Sequence, residues 1–355
     1  MEMGEACMPV PVVRLTRLQN ATGECVVRLG VRLLDEYLEF LAGRCRPNTV
    51  LAVAYDLKVF FTAVAKSPRR VCPADVLVFM TAQRAGGEGR LQVAEPGAGV
   101  SARTLRRRLS SVSGLYGFLL ARGDVSVNPV PRGLPTRRER QRPGQGVPLV
   151  RVPRTLPQVL EPGEVDALTA ALRTHRDRAM VAAMVLGGLR RCEVLGLRLP
   201  DLRFGERRVF ITEGKAGHQR LIPVSPRFFT EVSAYLDTER PPGAGTDRVF
   251  TVLKGPRRGM PLSADGLDEI LDGARQRAGL ARGTCHQLRH TCLTQLRKAG
   301  MSLEAVQAQA GHASIESTRI YLHLGDDWLA SQYRRAAEAI DAQALAAHPA
   351  VASAR

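Results

Sequence analysis

The sequence predicts a mainly α-helical protein with one small β-sheet in its C-terminal domain. Apolar residues recur at helical spacing from Val27 almost to the C-terminus, and only 208–212 and 220–224 read as strands. A third observation divides the chain. Residues 131–157 mix prolines, glycines and arginines and sustain no period, as an extended interdomain linker does. At 355 residues there is chain enough for two separate cores.

Taken in order, residues 1–26 show little periodicity and are expected to form an irregular lead-in. From Val27 a stripe of Leu29, Val31, Leu34, Tyr37, Leu38 and Leu41 predicts a helix that stops at Gly43. Asn48-Thr49 reads as the cap of a second helix, running through Leu57, Phe60, Phe61 and Val64. Pro73-Ala74-Asp75 opens a third; after a glycine-rich loop, Ser101 caps a fourth that ends at Gly123. Four helices with short connections over 27–130 read as an all-α bundle. The first turns of its last helix carry Arg103, Arg106, Arg107 and Arg108, a run placed to touch phosphates. The linker adds seven arginines against one glutamate, Arg137 and Arg138 among them, and such a strand suits a phosphate backbone. The second domain, 158–346, opens on the helix signal Glu161-Pro162-Gly163-Glu164. An apolar helix leads to the break at Gly187-Gly188. Two strands joined by a turn with Lys215 at its tip come next, then helices to the end, the last over roughly 326–346. Residues 347–355 read as a flexible tail.

The charge balance narrows the partner. Lys and Arg number 51 against 34 Asp and Glu, a formal net charge of +17, and nucleic acid is the commonest polyanion that such a surplus meets. An apolar fraction of 45% argues against a disordered chain. Only Lys58, Lys66, Lys215, Lys254 and Lys298 are lysines, and each matters because Lys can give up a proton where Arg cannot. Seven scattered cysteines without a CxxC pair fit free thiols in a reducing compartment. No apolar run approaches the roughly 18–20 residues of a membrane span, and the N-terminus lacks the basic start of a signal peptide. The expectation is a cytoplasmic protein with no membrane partner.

Chemistry-bearing groups are densest between Thr284 and His323. His286, Arg289 and His290 fall at i, i+3 and i+4, so a helix presents them on one face. Gly311-His312 closes the next helix, and Tyr321 lies nine residues further on. A metal reading of Cys285, His286, His290 and Cys292 is disfavoured. The general-base glutamate of a zinc-protease helix is replaced by Gln287, and Arg289 sets a fixed cation within the would-be ligand shell. No metal or cofactor is expected. Phosphoryl transfer fits the set better: Arg and His donors stabilise charge on the phosphate oxygens, Tyr321 is a nucleophile, and Lys215 an acid for the leaving alkoxide. Arg190, after the Gly-Gly-Leu break, is the second guanidinium of the clamp. Tyr333 is the rival nucleophile, with a packing role expected for it in the last helix, and Lys254 is the rival acid.

This set resembles the tyrosine recombinases of the phage-integrase family. Gly188-Leu189-Arg190 with Glu193, Lys215, His286-Gln287-Leu288-Arg289-His290, Gly311-His312 and Tyr321 stand in the family's order over 188–321. The resemblance implies a SAM-like core-binding bundle, a mixed α+β catalytic domain, and double-stranded DNA as partner. It implies that Tyr321 attacks a DNA phosphate to leave a 3′-phosphotyrosyl link. Arg190, Arg289, His286 and His312 hold the phosphate, Lys215 protonates the leaving oxygen, and Glu193 and His290 support them. It further implies four protomers on two duplexes, joined through the C-terminal helix, and a nucleoid-associated bacterial enzyme. Cys192, Gln287 and Ala310 depart from the usual pattern, and Ala310 is expected to loosen packing under His312. A chain beginning at the bundle, without an extra N-terminal arm-binding domain, points to a simple recombination site. A catalytically silent DNA-binding protein and a relaxing topoisomerase on the same scaffold are the alternatives.

Overall fold

The computed structural model describes residues 12–19, 25–85, 99–131, 149–152, 157–212, 219–312, 318, 333–334, 337–338 and 340. The chain folds as two units, Met1–Arg154 and Thr155–Arg355. The six cysteines among the described residues are free thiols. No helix among the described residues is long and apolar enough to cross a membrane.

The first unit is a helical bundle with an addition that the sequence reading missed. Strands β1 (Thr16–Gln19) and β2 (Cys25–Arg28) pair antiparallel, Thr16 opposite Arg28, where an irregular lead-in and the start of a helix were expected. The reason lies at the next turn. Gly30 takes φ +78°, and the Asp35 carboxylate accepts from the backbone N–H groups of Leu29 and Gly30. That carboxylate, inside the first turn, delays helix α1 to Arg32–Ala42 and leaves Val26-Val27 free to extend. Helix α2 (Pro47–Val64) likewise departs from expectation: its N-cap is Arg46, with no side-chain cap. Pro47, with φ preset and no N–H to satisfy, starts the helix before Asn48 and Thr49 can cap it. Helix α3 (Pro73–Ala85) and helix α4 (Ala102–Ala121) follow the reading, and Ser101 accepts from the Thr104 N–H at 3.1 Å.

Phe60, Phe61 and Phe79 meet edge to face at about 5 Å within this core, beside Leu34, Leu57, Leu105 and Leu115. A Cβ on Gly114 would lie 2.6 Å from the Tyr37 hydroxyl, so α1 and α4 approach closely because that position is glycine. Asp56 is buried yet satisfied, accepting from Ser111 Oγ at 2.8 Å and Arg107 Nη1 at 2.7 Å. Burial pushes its carboxyl pKa up, against the opposing pull of the Ser111 hydrogen bond and of the Arg107 and Arg108 charges.

The second unit is built on helix α6 (His175–Val185), buried through most of its length and packed against α8 (Pro226–Thr238) and α10 (Cys285–Lys298). A helix apolar all round belongs inside a core, and Ala179 to Met184 supply that surface. Around it lie α5 (Pro162–Ala170), α7 (Arg191–Gly196), α9 (Ala264–Ala278) and α11 (Leu303–Ala310). The sheet runs β3 (Leu202–Arg203), β4 (Arg208–Ile211), β5 (Arg220–Pro223), all antiparallel, with Val209 opposite Ile222. The two predicted strands therefore pair, and the sheet is widened by the two-residue β3; Lys215 lies outside the described residues. The interdomain arginines Arg137 and Arg138, Tyr321 and most of the stretch 326–346 where a last helix is expected also lie outside them.

Candidate active site

Five sequence-selected side chains, Arg190, His286, Arg289, His290 and His312, line one cleft of about 810 Å³ in the second unit. Local chain chemistry sets each one. Gly187 and Gly188 turn the chain from α6 to α7. A Cβ on Gly187 would lie 2.8 Å from the Ala183 carbonyl oxygen, and Gly188 sits at φ +71° against Leu293. The turn delivers Arg190 as N-cap of α7, with its backbone N–H on the Glu193 carboxylate at 2.9 Å. Helix α10 starts at a capping box: Thr284 accepts from the Gln287 N–H, while Gln287 Oε1 accepts from the Gly283 and Thr284 N–H groups. Gln287 is thus a helix cap. One turn on, Arg289 faces inward and His286 and His290 share the helix edge, as the i, i+3, i+4 spacing requires.

The two guanidiniums are held from behind. Arg289 is buried, and donates from Nη1 to the Gly188 carbonyl and from Nη2 to the Ala310 carbonyl, the latter at 2.6 Å. Arg190 donates to Glu193 Oε1 at 2.7 Å and to the Gly311 carbonyl at 3.0 Å. The Gly-Gly turn, α10 and the Gly311-His312 corner are therefore cross-bonded through the same two side chains. Glu193, its side chain fully buried, also takes both Nη groups of Arg220, at 3.0 and 2.9 Å. Burial would raise its pKa, but the Arg220 hydrogen bonds, the Arg190 N–H and the two guanidinium charges outweigh that and hold it below the usual carboxylate value.

Two of the imidazoles, His290 and His312, are held in the neutral form. Arg289 Nη2 lies 3.2 Å from His312 Nε2 and can only donate, so Nε2 accepts and Nδ1 carries the proton toward Thr318 Oγ1 at 2.9 Å. Burial, then the Arg289 and Arg190 charges, push the His312 pKa down to about 4. His290 Nε2 lies 2.8 Å from His286 Nε2, the rings edge to face, so one donates and the other accepts. Burial, then His286 and Arg289, lower His290 to about 4 as well. Both histidines would take up protons near 6.5 in the unfolded chain. Between about pH 6.5 and 4 the unfolded state therefore binds more protons, and stability is lost as the pH falls through that window. Thermal melting of the protein from pH 7.5 to 4 should show this decline, and H290Q with H312Q should flatten it.

Other expectations fare unevenly. Ala310 is fully buried with Leu293 and Val306 rather than leaving a loose patch, and its carbonyl is what serves the site. Tyr333 is helical but 74% exposed, not packed as expected. Lys254 does not line the cleft. Among the described residues no group of three or more His, Cys, Asp or Glu is placed to hold a metal ion. Cys285 points instead at Asp268, and Cys292 is buried near Gly188. The reading missed Arg220 and Gln309, whose Nε2 donates to the Gly187 and Pro223 carbonyls at 2.9 and 3.1 Å. A signal for Arg220 existed: it shares strand parity with buried Ile222, and an inward-facing Arg demands a buried counter-charge.

Two guanidiniums and three imidazoles line one cleft, a donor set of the kind phosphoryl transfer uses, on a helical unit that follows a helical bundle. Residues 158–327 match the phage integrase family model, and 34–123 match the phage integrase N-terminal SAM-like domain. Tyrosine recombinase XerC of Roseiflexus sp. is 31% identical over 288 residues, covering 78% of this chain and 83% of that one. Tyrosine recombinase XerD of Listeria monocytogenes is 30% identical over 310 residues, covering 82% and 94%. Among solved structures, the Tn1549 transposon integrase in complex with a circular intermediate DNA superposes with TM-score 0.65 at 17% identity, over 85% of this chain and 99% of that one. A lambda integrase dimer bound to a COC′ core site gives 0.60 at 16%, over 83% and 95%; both share the fold. The chain belongs to the phage integrase family and is a tyrosine-type site-specific recombinase.

Proposed function

We propose that this recombinase cuts and rejoins double-stranded DNA through a 3′-phosphotyrosyl intermediate on Tyr321. The observation that carries this is the shared frame of Arg190 and Arg289, whose bonds to Glu193, Gly188, Ala310 and Gly311 fix two guanidiniums that line one cleft. A scissile phosphate there receives donors from both arginines and from His286 and His312. The phosphate's charge raises the proton affinity of His312, which burial and then the neighbouring guanidiniums otherwise suppress. The Tyr321 oxygen, losing its proton, bonds to phosphorus as the P–O5′ bond breaks, and Lys215 protonates the departing 5′-oxygen. The bond energy is kept in the phosphotyrosine, so rejoining requires no ATP.

Supporting roles fall to Glu193 and His290, which brace Arg190 and His286. In the first unit Arg103 and Arg106 are exposed and suited to DNA phosphates. Arg107 is exposed too but already donates to Asp56, which reduces its net charge toward DNA. Arg137 and Arg138 of the interdomain stretch complete the proposed contacts. The assembly is a tetramer on two duplexes joined through the C-terminal helix, acting in the cytoplasm on a mobile element.

The test is covalent trapping. Purified protein is incubated with sheared, lightly nicked genomic DNA of the source organism, and detergent-resistant adducts are recovered, mapped and sequenced. The adducted peptide should contain Tyr321, Y321F should abolish it, and the DNA ends should define a discrete site. Adducts surviving Y321F, or mapping to Tyr333, would sink the mechanism. DNA retained without any adduct would favour a silent DNA-binding protein, and relaxation of supercoils at no preferred site a topoisomerase.

A further inference from the structure

We infer that Arg220 is a positioning residue of the phosphate site: it matches the charge of Glu193 and holds that carboxylate, Arg190 and the Gly311-His312 corner in register. This rests on the cleft being the phosphate site. Three observations place Arg220 in that role. It binds Glu193 with both Nη groups, at 3.0 and 2.9 Å, and directs Nε at the Gln309 carbonyl at 3.4 Å. It does not line the cleft, whereas Arg190 and Arg289 do. And it fills the space a side chain at position 311 would need. A Cβ built on Gly311 would lie 2.7 Å from Cζ and Nη1 of Arg220, and Gly311 itself sits at φ +59°. The glycine before His312 is thus required twice, once for its left-handed backbone and once because the Arg220 guanidinium lies against it.

The charge balance gives the arrangement its purpose. The groups facing Glu193 come from three elements: Arg190, by its guanidinium and backbone N–H at the start of α7; Arg220 on β5; and Arg289 on α10, at 3.8 Å. Three guanidiniums surround one carboxylate. Arg220 engages both of its oxygens without lining the cleft, so it matches the charge of the carboxylate and Arg190 and Arg289 keep a net positive field for an anion. Without Arg220 the carboxylate would draw on Arg190 alone at hydrogen-bond distance, and burial would raise its proton affinity.

The test uses full-length protein and the nicked duplex recovered in the trapping experiment, with single-turnover cleavage followed from pH 5 to 9. R220M should cut the rate by about 10- to 100-fold, as small displacements of positioned groups do, while DNA affinity stays that of the wild type. R220K should recover part of the rate. The acidic limb of the R220M profile should move to higher pH, because Glu193 then protonates more readily and releases Arg190; in an E193Q background R220M should move it no further. A folded R220M protein with wild-type rate and limb overturns the inference. So does a loss equal at every pH that R220K leaves unrelieved, which is what a merely structural ion pair gives. If R220M does not melt cooperatively, G311A, whose Cβ would press on the Arg220 guanidinium, should show the same loss and limb shift, and a wild-type profile there overturns the inference. A wild-type protein that forms no adduct overturns the phosphate site and this inference together; a wild-type adduct with unaffected R220M overturns this inference alone.

Discussion

Replacement of Arg289 by alanine should lower the rate of first-strand cleavage by about 10²–10³-fold, the usual effect of losing one fixed donor to a developing oxyanion. The size follows from how the side chain is held. It is 4% exposed, and its Nη groups already engage the Gly188 and Ala310 carbonyls, so the guanidinium is oriented before any phosphate arrives. Preorganisation of that kind contributes to the transition state without reorganisation during the reaction. Single-turnover cleavage of a nicked duplex measures the effect, and DNA affinity should change far less, because most phosphate contacts lie elsewhere. R289K should recover little: one ammonium cannot serve two carbonyls and a phosphate in a planar fork. R289A should also destabilise the protein, since each abandoned carbonyl costs about 1–3 kcal/mol if buried without a partner. A variant cleaving within a few-fold of wild type would mean that Arg289 serves the fold and not the reaction.

The largest stability loss is expected at Glu193. Its side chain is fully buried and accepts from Arg190, from Arg220 and from the Arg190 backbone. E193A removes one partner of a buried ionic cluster and leaves three guanidiniums without their shared carboxylate, a change that costs about 3–5 kcal/mol in comparable cases. Denaturant unfolding of the DNA-free protein checks this. E193Q keeps an acceptor for the Arg190 N–H and should lose less, so the difference between the two variants isolates the capping contribution from the charge. Cleavage should fall in both, because Arg190 loses the bond that fixes Nη1.

Much of the fold was legible because its signals are local. Ser101 caps its helix, Pro162 opens α5, and the apolar run of α6 ends at two glycines, all within a turn or two of chain. The readings that failed involve a side chain competing with a local signal. Asp35 claims two N–H groups and converts the expected start of a helix into strand β2, and Pro47 pre-empts the cap that Asn48-Thr49 would make. The same division runs through the site. The spacing of His286, Arg289 and His290 needs only the helical period, so the sequence placed them together. The carbonyls that Arg289 binds belong to residues 101 and 21 positions away, and no local pattern announces them.

By itself, then, the sequence determined the chemistry-bearing groups of the cleft and their order: the guanidiniums Arg190 and Arg289, the imidazoles, and the glycines that turn the chain beside them. Residue type and short-range spacing suffice for that, since a helix or a tight turn is set within a few residues. Only the tertiary structure decided which charges are available. Arg107 is drawn to buried Asp56, and Arg220 to buried Glu193, while Arg190 and Arg289 are left facing the cleft. An arginine's role depends on the buried carboxylate it meets, and that partner is fixed by packing between segments far apart in the chain.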